Sequence, residues 1–121
     1  MFFQIRQKDG SIEPLASGTL VEPDGSTRAL TREQVNIHVL DKWTSPSSGG
    51  VYPARWNVSI PSANIQLTFK PYVTDQEMHV SIVYWEGAVE IAGTSNGAPV
   101  KGSGYVEMTG YAAGSGNVGA Q

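Results

Sequence analysis

Residues 82–111 read Ile-Val-Tyr-Trp-Glu-Gly-Ala-Val-Glu-Ile-Ala-Gly-Thr-Ser-Asn-Gly-Ala-Pro-Val-Lys-Gly-Ser-Gly-Tyr-Val-Glu-Met-Thr-Gly-Tyr, two alternating runs on either side of Asn96-Gly97. Asn-Gly suits a two-residue type I′ turn better than any other dipeptide, because both of its positions tolerate positive φ. The stretch therefore predicts a long β-hairpin. Ser95 should face Ala98, Ile91 Gly102, Val89 Gly104, Trp85 Met108 and Tyr84 Thr109. In that register Val83, Trp85, Val89 and Ile91 share a face with Val100, Val106 and Met108, so two apolar faces read separately coincide. Gly102 and Gly104 leave room for the side chains of Ile91 and Val89, or for a bend at a barrel corner. The other face sets Glu86 against Glu107, among Tyr84, Tyr105, Thr109 and Tyr111. Like charges directly opposite on a sheet repel. On an exposed face the repulsion is screened, with Lys70 or Arg55 to absorb it. In a lumen, repulsion and burial would hold one carboxyl neutral and make it a proton donor. A bulge at Gly87 would instead separate the pair.

Working outward, turn signals recur at Asp9-Gly10, Asp24-Gly25, Ser48-Gly49-Gly50 and 61–64, and helical periodicity is confined to one short turn at 31–34 that Thr31 could cap. Strands are expected over 2–7, 12–22, 35–44, 52–60, 65–73, 79–93 and 99–111. Seven antiparallel strands joined by short turns predict an all-β meander closing into an up-and-down barrel. Alternation directs Val35, Ile37, Val39 and Trp43, then Trp56, Val58 and Ile60, then Ile65, Leu67 and Phe69, toward the core. Asn36, His38, Lys42, Asn57, Ser59, Gln66, Thr68 and Lys70 should mostly meet water. One domain is expected over 1–111, followed by a flexible Gly/Ala/Ser-rich tail over 112–121.

The 121 residues suffice for one core without metal or disulfide support, and there is no cysteine to supply a thiolate, a disulfide or a Cys-based metal site. A net charge of −3 without a run of Lys or Arg argues against nucleic acid and anionic membranes as partners. No segment reaches the roughly 18 apolar residues of a membrane span. The N-terminus has too short an apolar stretch for a signal peptide, so the chain as written is expected to stay in the cytoplasm. His38 and His79 lie on different strands without a metal-site partner by spacing, and no acidic residue is tied to a histidine, so neither a metal nor a hydrolytic triad is expected. No cofactor is implied. Trp43, Trp56 and Trp85 fall on apolar faces, where they either pack a core or line a pocket.

Four motifs carry a resemblance. Trp43-Thr-Ser-Pro-Ser-Ser-Gly-Gly-Val-Tyr-Pro-Ala-Arg-Trp56, Thr74-Asp75-Gln76-Glu77, the run from Tyr84 to Gly93 and the run from Gly104 to Tyr111 resemble the AttH-like lipocalin proteins related to carotenoid 1,2-hydratase. The match covers nearly all of residues 1–111 and is similar to the family's C-terminal domain alone. The resemblance implies a lipocalin-like barrel and relatives that hydrate an isolated alkene or fold polyenes. Members usually carry two barrels, and some are exported. The chain begins inside what resembles the second strand of the domain's first hairpin, which would leave an open sheet edge. A second copy is expected to cover that edge near Phe2, Phe3 and Ile5.

Three functions follow as rivals. The first is a non-catalytic binding module holding an apolar or polyene-like small molecule among Trp43, Trp56, Tyr84, Trp85, Tyr105 and Met108. The second is a hydratase- or cyclase-like enzyme in which a neutral Glu86 or Glu107 protonates an alkene and aromatic faces stabilise the cation. The third is an interaction domain whose barrel is filled by its own side chains.

Overall fold

The computed structural model describes residues 1–112; of the flexible tail expected over 112–121 only Ala112 is described, buried against the core, and the rest of that expectation lies outside the described residues. Alternation and turn chemistry produce strands almost throughout: β1 (Phe2–Phe3), β2 (Ser17–Val21), β3 (Thr27–Thr31), β4 (Asn36–Thr44), β5 (Val51–Ile60), β6 (Ile65–Pro71), β7 (Glu77–His79), β8 (Val83–Ser95) and β9 (Ala98–Met108). All strand pairs are antiparallel. Strands β1, β2 and β3 form a small sheet, while β4, β5, β6 and β8 follow one another in the larger one, with β9 on the far edge of β8. No strand pair among the described residues joins β9 to β4, so the barrel is not closed by a ladder; instead the Arg6 guanidinium donates to Thr109 O at 3.4 Å and lies 3.9 Å over the Tyr111 ring.

The hairpin has the expected register from Trp85↔Met108 through Glu86↔Glu107 to Ser95↔Ala98, and Asn96 (φ 51°) and Gly97 (φ 79°) make its turn. The ladder passes Gly87 without a shift, so no bulge separates the glutamates. It ends at Met108, so Tyr84 and Thr109 are not paired. Gly104 is where the partner side chains lean in, since a Cβ there would meet Ile91 Cδ1 at 2.7 Å and Val89 Cγ2 at 3.4 Å. Nothing lies near the corresponding point at Gly102, which therefore makes no room for Ile91.

Other boundaries differ from the sequence reading. The run 2–7 keeps only two strand residues, 12–22 shrinks to β2, and β3 appears where Thr27-Arg28-Ala29-Leu30-Thr31 shows too little alternation to declare itself. The long strand expected over 79–93 breaks into β7, a bend and β8, because His79 already pairs with Val83. The turn at 31–34 forms as a 3-10 turn, with the Thr31 N–H donating to Gln34 Oε1 at 2.9 Å. Asp9-Gly10-Ser11 and Asp24-Gly25-Ser26 build the same local device. Each aspartate accepts the backbone N–H and hydroxyl of the serine two residues on, which holds its carboxyl below the usual range.

Strand β8 carries β9 along one edge and both β6 and β7 along the other, and between those two partners the ladder needs a substitute. Gln76 supplies it. Its Oε1 accepts the Ala88 N–H at 3.0 Å, and its Nε2 donates to Ala88 O at 3.0 Å and Val73 O at 2.8 Å. The side-chain amide thus stands where a backbone peptide group would stand, as buried ladder positions require. Gly87 is part of this device, because a Cβ on it would come within 2.2 Å of Gln76 Cδ.

Two apolar clusters make up the core. Leu30, Val35 and Ile60 are buried with Phe2 and Leu20 against them, and at the other end Tyr52, Trp56, Trp85, Val89 and Met108 are buried together. Ile37 and Val58 touch both clusters. Val39 departs from the expected core set: β4 shifts register between Val39 and Asp41, and Val39 is left 45% exposed.

Candidate functional site

The aromatic end of the inner face begins with Trp85, whose position in the middle of the sheet leaves it 1% exposed and whose Nε1 donates to Thr74 O at 2.9 Å. Burying a ring of this size contributes on the order of 5 kcal/mol, provided its N–H finds a partner, as it does. Met108 lies across from it on β9 and Trp56 comes in from β5. Tyr52, wholly buried, stacks on Trp43 with centroids 6.0 Å apart and meets Tyr111 at 5.6 Å. Arg6 over Tyr111 completes a series of planar groups from the surface to the core.

Beside these rings lies a polar cluster. Glu77 pairs with Trp85 in the ladder and so points to the inner face, where its side chain is fully buried. Ser45 Oγ donates to Glu77 Oε1 at 2.7 Å, Ser48 Oγ donates to Oε2 at 2.6 Å, and His79 Nε2 lies 3.0 Å from Oε1. Burial alone would push this carboxyl up. The hydroxyls of Ser48 and Ser45, with Tyr52 and His79 close by, outweigh it, so Glu77 titrates below its ordinary range and is an anion at neutral pH. Tyr52 Oη is close to the same carboxylate but completes no hydrogen bond of normal geometry, and burial followed by the Glu77 charge raises its pKa. Histidine meets glutamate here without contacting either serine, which is not the order that activates a serine nucleophile. What the cluster does is fasten the loop between β4 and β5: Ser45 Oγ also accepts the N–H groups of Ser47 and Ser48, and Ser48 Oγ that of Gly50.

The sequence reading did not find this cluster, and it misjudged His79. Glu77 stands two residues before His79 on one strand, and period-two alternation places both on the same face. That spacing was the available signal. The serines could not have been found in this way, because only the fold brings a loop more than 25 residues away against β7.

Of the six aromatic and methionine residues expected to hold a ligand, Trp43, Trp56, Trp85 and Met108 come together at this inner end. Tyr84 and Tyr105 do not join them. Their parity puts both on the outer face, where Tyr105 is 66% exposed, next to half-buried Glu86 and exposed Glu107. Water reaches that pair. Among the described residues no group of three or more His, Asp or Glu has metal-binding geometry. A separate polar groove of about 290 Å³ opens between the β2–β3 hairpin and the turns that follow β5 and β8, lined in part by Glu22, Arg28, Asn64 and Asn96, and the tryptophans contribute nothing to it.

An antiparallel meander with its tryptophans gathered on one face is a lipocalin-like fold. The chain belongs to the AttH-like family, whose profile matches residues 1–111. The crystal structure of an AttH protein from Nitrosomonas europaea resembles it with a TM-score of 0.79 and 38% identity, over 93% of this chain and 34% of that one. Kievitone hydratase from Nectria haematococca has a TM-score of 0.69 over 88% of this chain and 33% of its own, and at 19% identity it shows the shared fold alone. The chain spans about a third of the length of both structures. No curated protein matches it in sequence.

Proposed function

We propose that this domain is a lipocalin-like binding module whose inner sheet face receives an apolar or polyene-like small molecule, without catalysis of its own. The observation that carries the reading is the incomplete cover of that face. Ile37, Val58, Phe69 and Ile91 all pack against the inner cluster, yet each is only half-buried. Apolar surface left partly open next to buried tryptophans is what a hydrophobic ligand would cover, at about 25 cal/mol per Å² removed from water. Glu77, the carboxylate at that end of the face, already has its own hydrogen-bond partners, which favours a ligand without an ionised group. The enzymatic alternative needs a neutral carboxyl on the inner face, and Glu86 and Glu107 face outward while Glu77 is held as an anion.

Intrinsic tryptophan fluorescence titrated with retinol, a carotenoid and a fatty acid tests the reading. Saturable quenching that weakens in Ile91→Gln supports it, and a flat response to all three ligands up to their solubility overturns it. We also propose that two copies meet near Phe3 and Ile5, both of which are exposed, whereas Phe2 packs beneath them against the Leu30 cluster. Light scattering that gives a monomer mass at about 100 µM would reject that contact.

A further inference from the structure

The outer face of β8 and β9 carries a second constellation that the inner face does not use. Ala88 puts only a methyl group on it. Tyr105 stands across from Ala88 on β9, and Tyr72, whose N–H donates to Ala88 O at 3.2 Å, reaches over β8 to bring its hydroxyl within 2.7 Å of Ser103 Oγ. The two rings are 66% and 56% exposed. Glu86 opposite Glu107 borders them on one side and Glu90 opposite Ser103 on the other. Among the described residues none of these three carboxylates has an ion-pair partner, and even Lys70, set across from Glu90 by the register, makes no such contact. Glu86, through a hydrogen bond and its charge, is the main cause of a raised Tyr84 pKa. Tyr105 is raised too, by desolvation first and then by Glu86 and Glu107.

Like charges held opposite each other cost free energy that a bound cation would return. Tyrosine faces attract cations, and a guanidinium can both stack on a ring and hydrogen-bond two carboxylates, which an ammonium cannot. The surface is an open sheet face rather than a pocket, so it fits a side chain carried on a larger partner. Spacing adds a further condition. Glu86 and Glu90 lie four residues apart on one strand, about 13 Å, and an extended chain separates residues i and i+4 by the same distance. We propose that this face docks an extended arginine-bearing segment of a partner protein, with one guanidinium between Glu86 and Glu107 against Tyr105 and a second, four residues along, at Glu90 beside Tyr72.

The probe is the capped peptide Gly-Arg-Gly-Ser-Gly-Gly-Arg-Gly, with arginines at positions two and seven, compared with Gly-Arg-Gly-Ser-Gly-Arg-Gly-Gly, with arginines four apart. Each is titrated into the 15N-labelled 121-residue chain at low ionic strength. Amide shifts should concentrate on residues 84–90 and 103–107, and the four-apart peptide should bind more tightly. The double variant Glu86→Gln/Glu107→Gln should weaken it about tenfold, Tyr105→Ala about threefold, Tyr105→Phe little and the remote Glu22→Gln not at all. Both glutamines relieve repulsion, so thermal midpoints at or above that of the parent chain show that the variants are folded. Shifts spread over acidic residues generally, equal loss in Glu22→Gln, or equal affinity for the two spacings overturns the proposal. So does calcium chloride alone reproducing the shifts where the peptides produce none, which would make the carboxylates a mineral-cation site.

Discussion

The two faces of the β8–β9 hairpin are built from the same two strands and differ in almost every physical respect. On the inner side Trp85, Val89 and Met108 are buried, Ile91 leans over Gly104, and the one nearby carboxylate, Glu77, has its hydrogen bonds satisfied. On the outer side half-buried Glu86 opposes exposed Glu107, and Tyr72 and Tyr105 keep more than half of their surface exposed. The contrast teaches where stability resides. The inner face is fixed by packing and by polar groups that cannot be left unpaired, while the outer face carries charge that folding does not need.

That difference can be broken from either side, and the effects should descend in order. Trp85→Ala removes the largest buried ring and the bond to Thr74, and should cost about 3–5 kcal/mol by chemical denaturation. If the loss is below 1 kcal/mol, the inner end is not the centre of the core. Glu77→Ala leaves the Ser45 and Ser48 hydroxyls without their acceptor, and should cost about 2–3 kcal/mol. The same residue gives a pH signature. Its folded pKa is depressed, so its contribution is fully present above the ordinary glutamate value of 4.5 and is lost as the pH falls through the lower folded value. Denaturation midpoints followed from pH 7 to pH 3 should therefore drop less in Glu77→Gln than in the parent chain, although the variant starts lower. Gly87→Ala drives a Cβ into the Gln76 amide and should cost about 1–3 kcal/mol through its three hydrogen bonds. On the outer face, Glu86→Gln should raise stability by about 0.2–1 kcal/mol at low salt, with the gain vanishing in 1 M salt. A loss of stability there would mean that the glutamate pair is structural after all.

What the sequence made legible follows the same division. Period-two alternation around Asn96-Gly97 specified the register of the hairpin rung by rung and assigned Trp85 and Glu86 to opposite faces, because one slipped residue would exchange every side chain. It also gathered Trp43, Trp56, Trp85 and Met108 correctly. Parity puts Tyr84 and Tyr105 on the face of Glu86 and Glu107, and grouping them with Trp85 and Met108 as ligand contacts ignores that placement. The Glu77 cluster was out of reach for a different reason: its hydroxyl donors sit in an irregular loop, where no periodicity reports direction. β3 and β7 were missed because five- and three-residue strands offer too few alternations to count.

The Gln76 amide has a consequence for how the sheet breathes. Along most of β8 a backbone proton is released to solvent only when two strands part, a collective event. At Ala88 the acceptor of the N–H is the end of a side chain, so a rotation of Gln76 about its own bonds is enough to uncover it. One rung in the middle of the longest strand is thus latched rather than laced. Its amide should exchange orders of magnitude faster than that of Val89 next to it, and the ratio of the two rates measures how often the latch opens while the ladder around it stays shut.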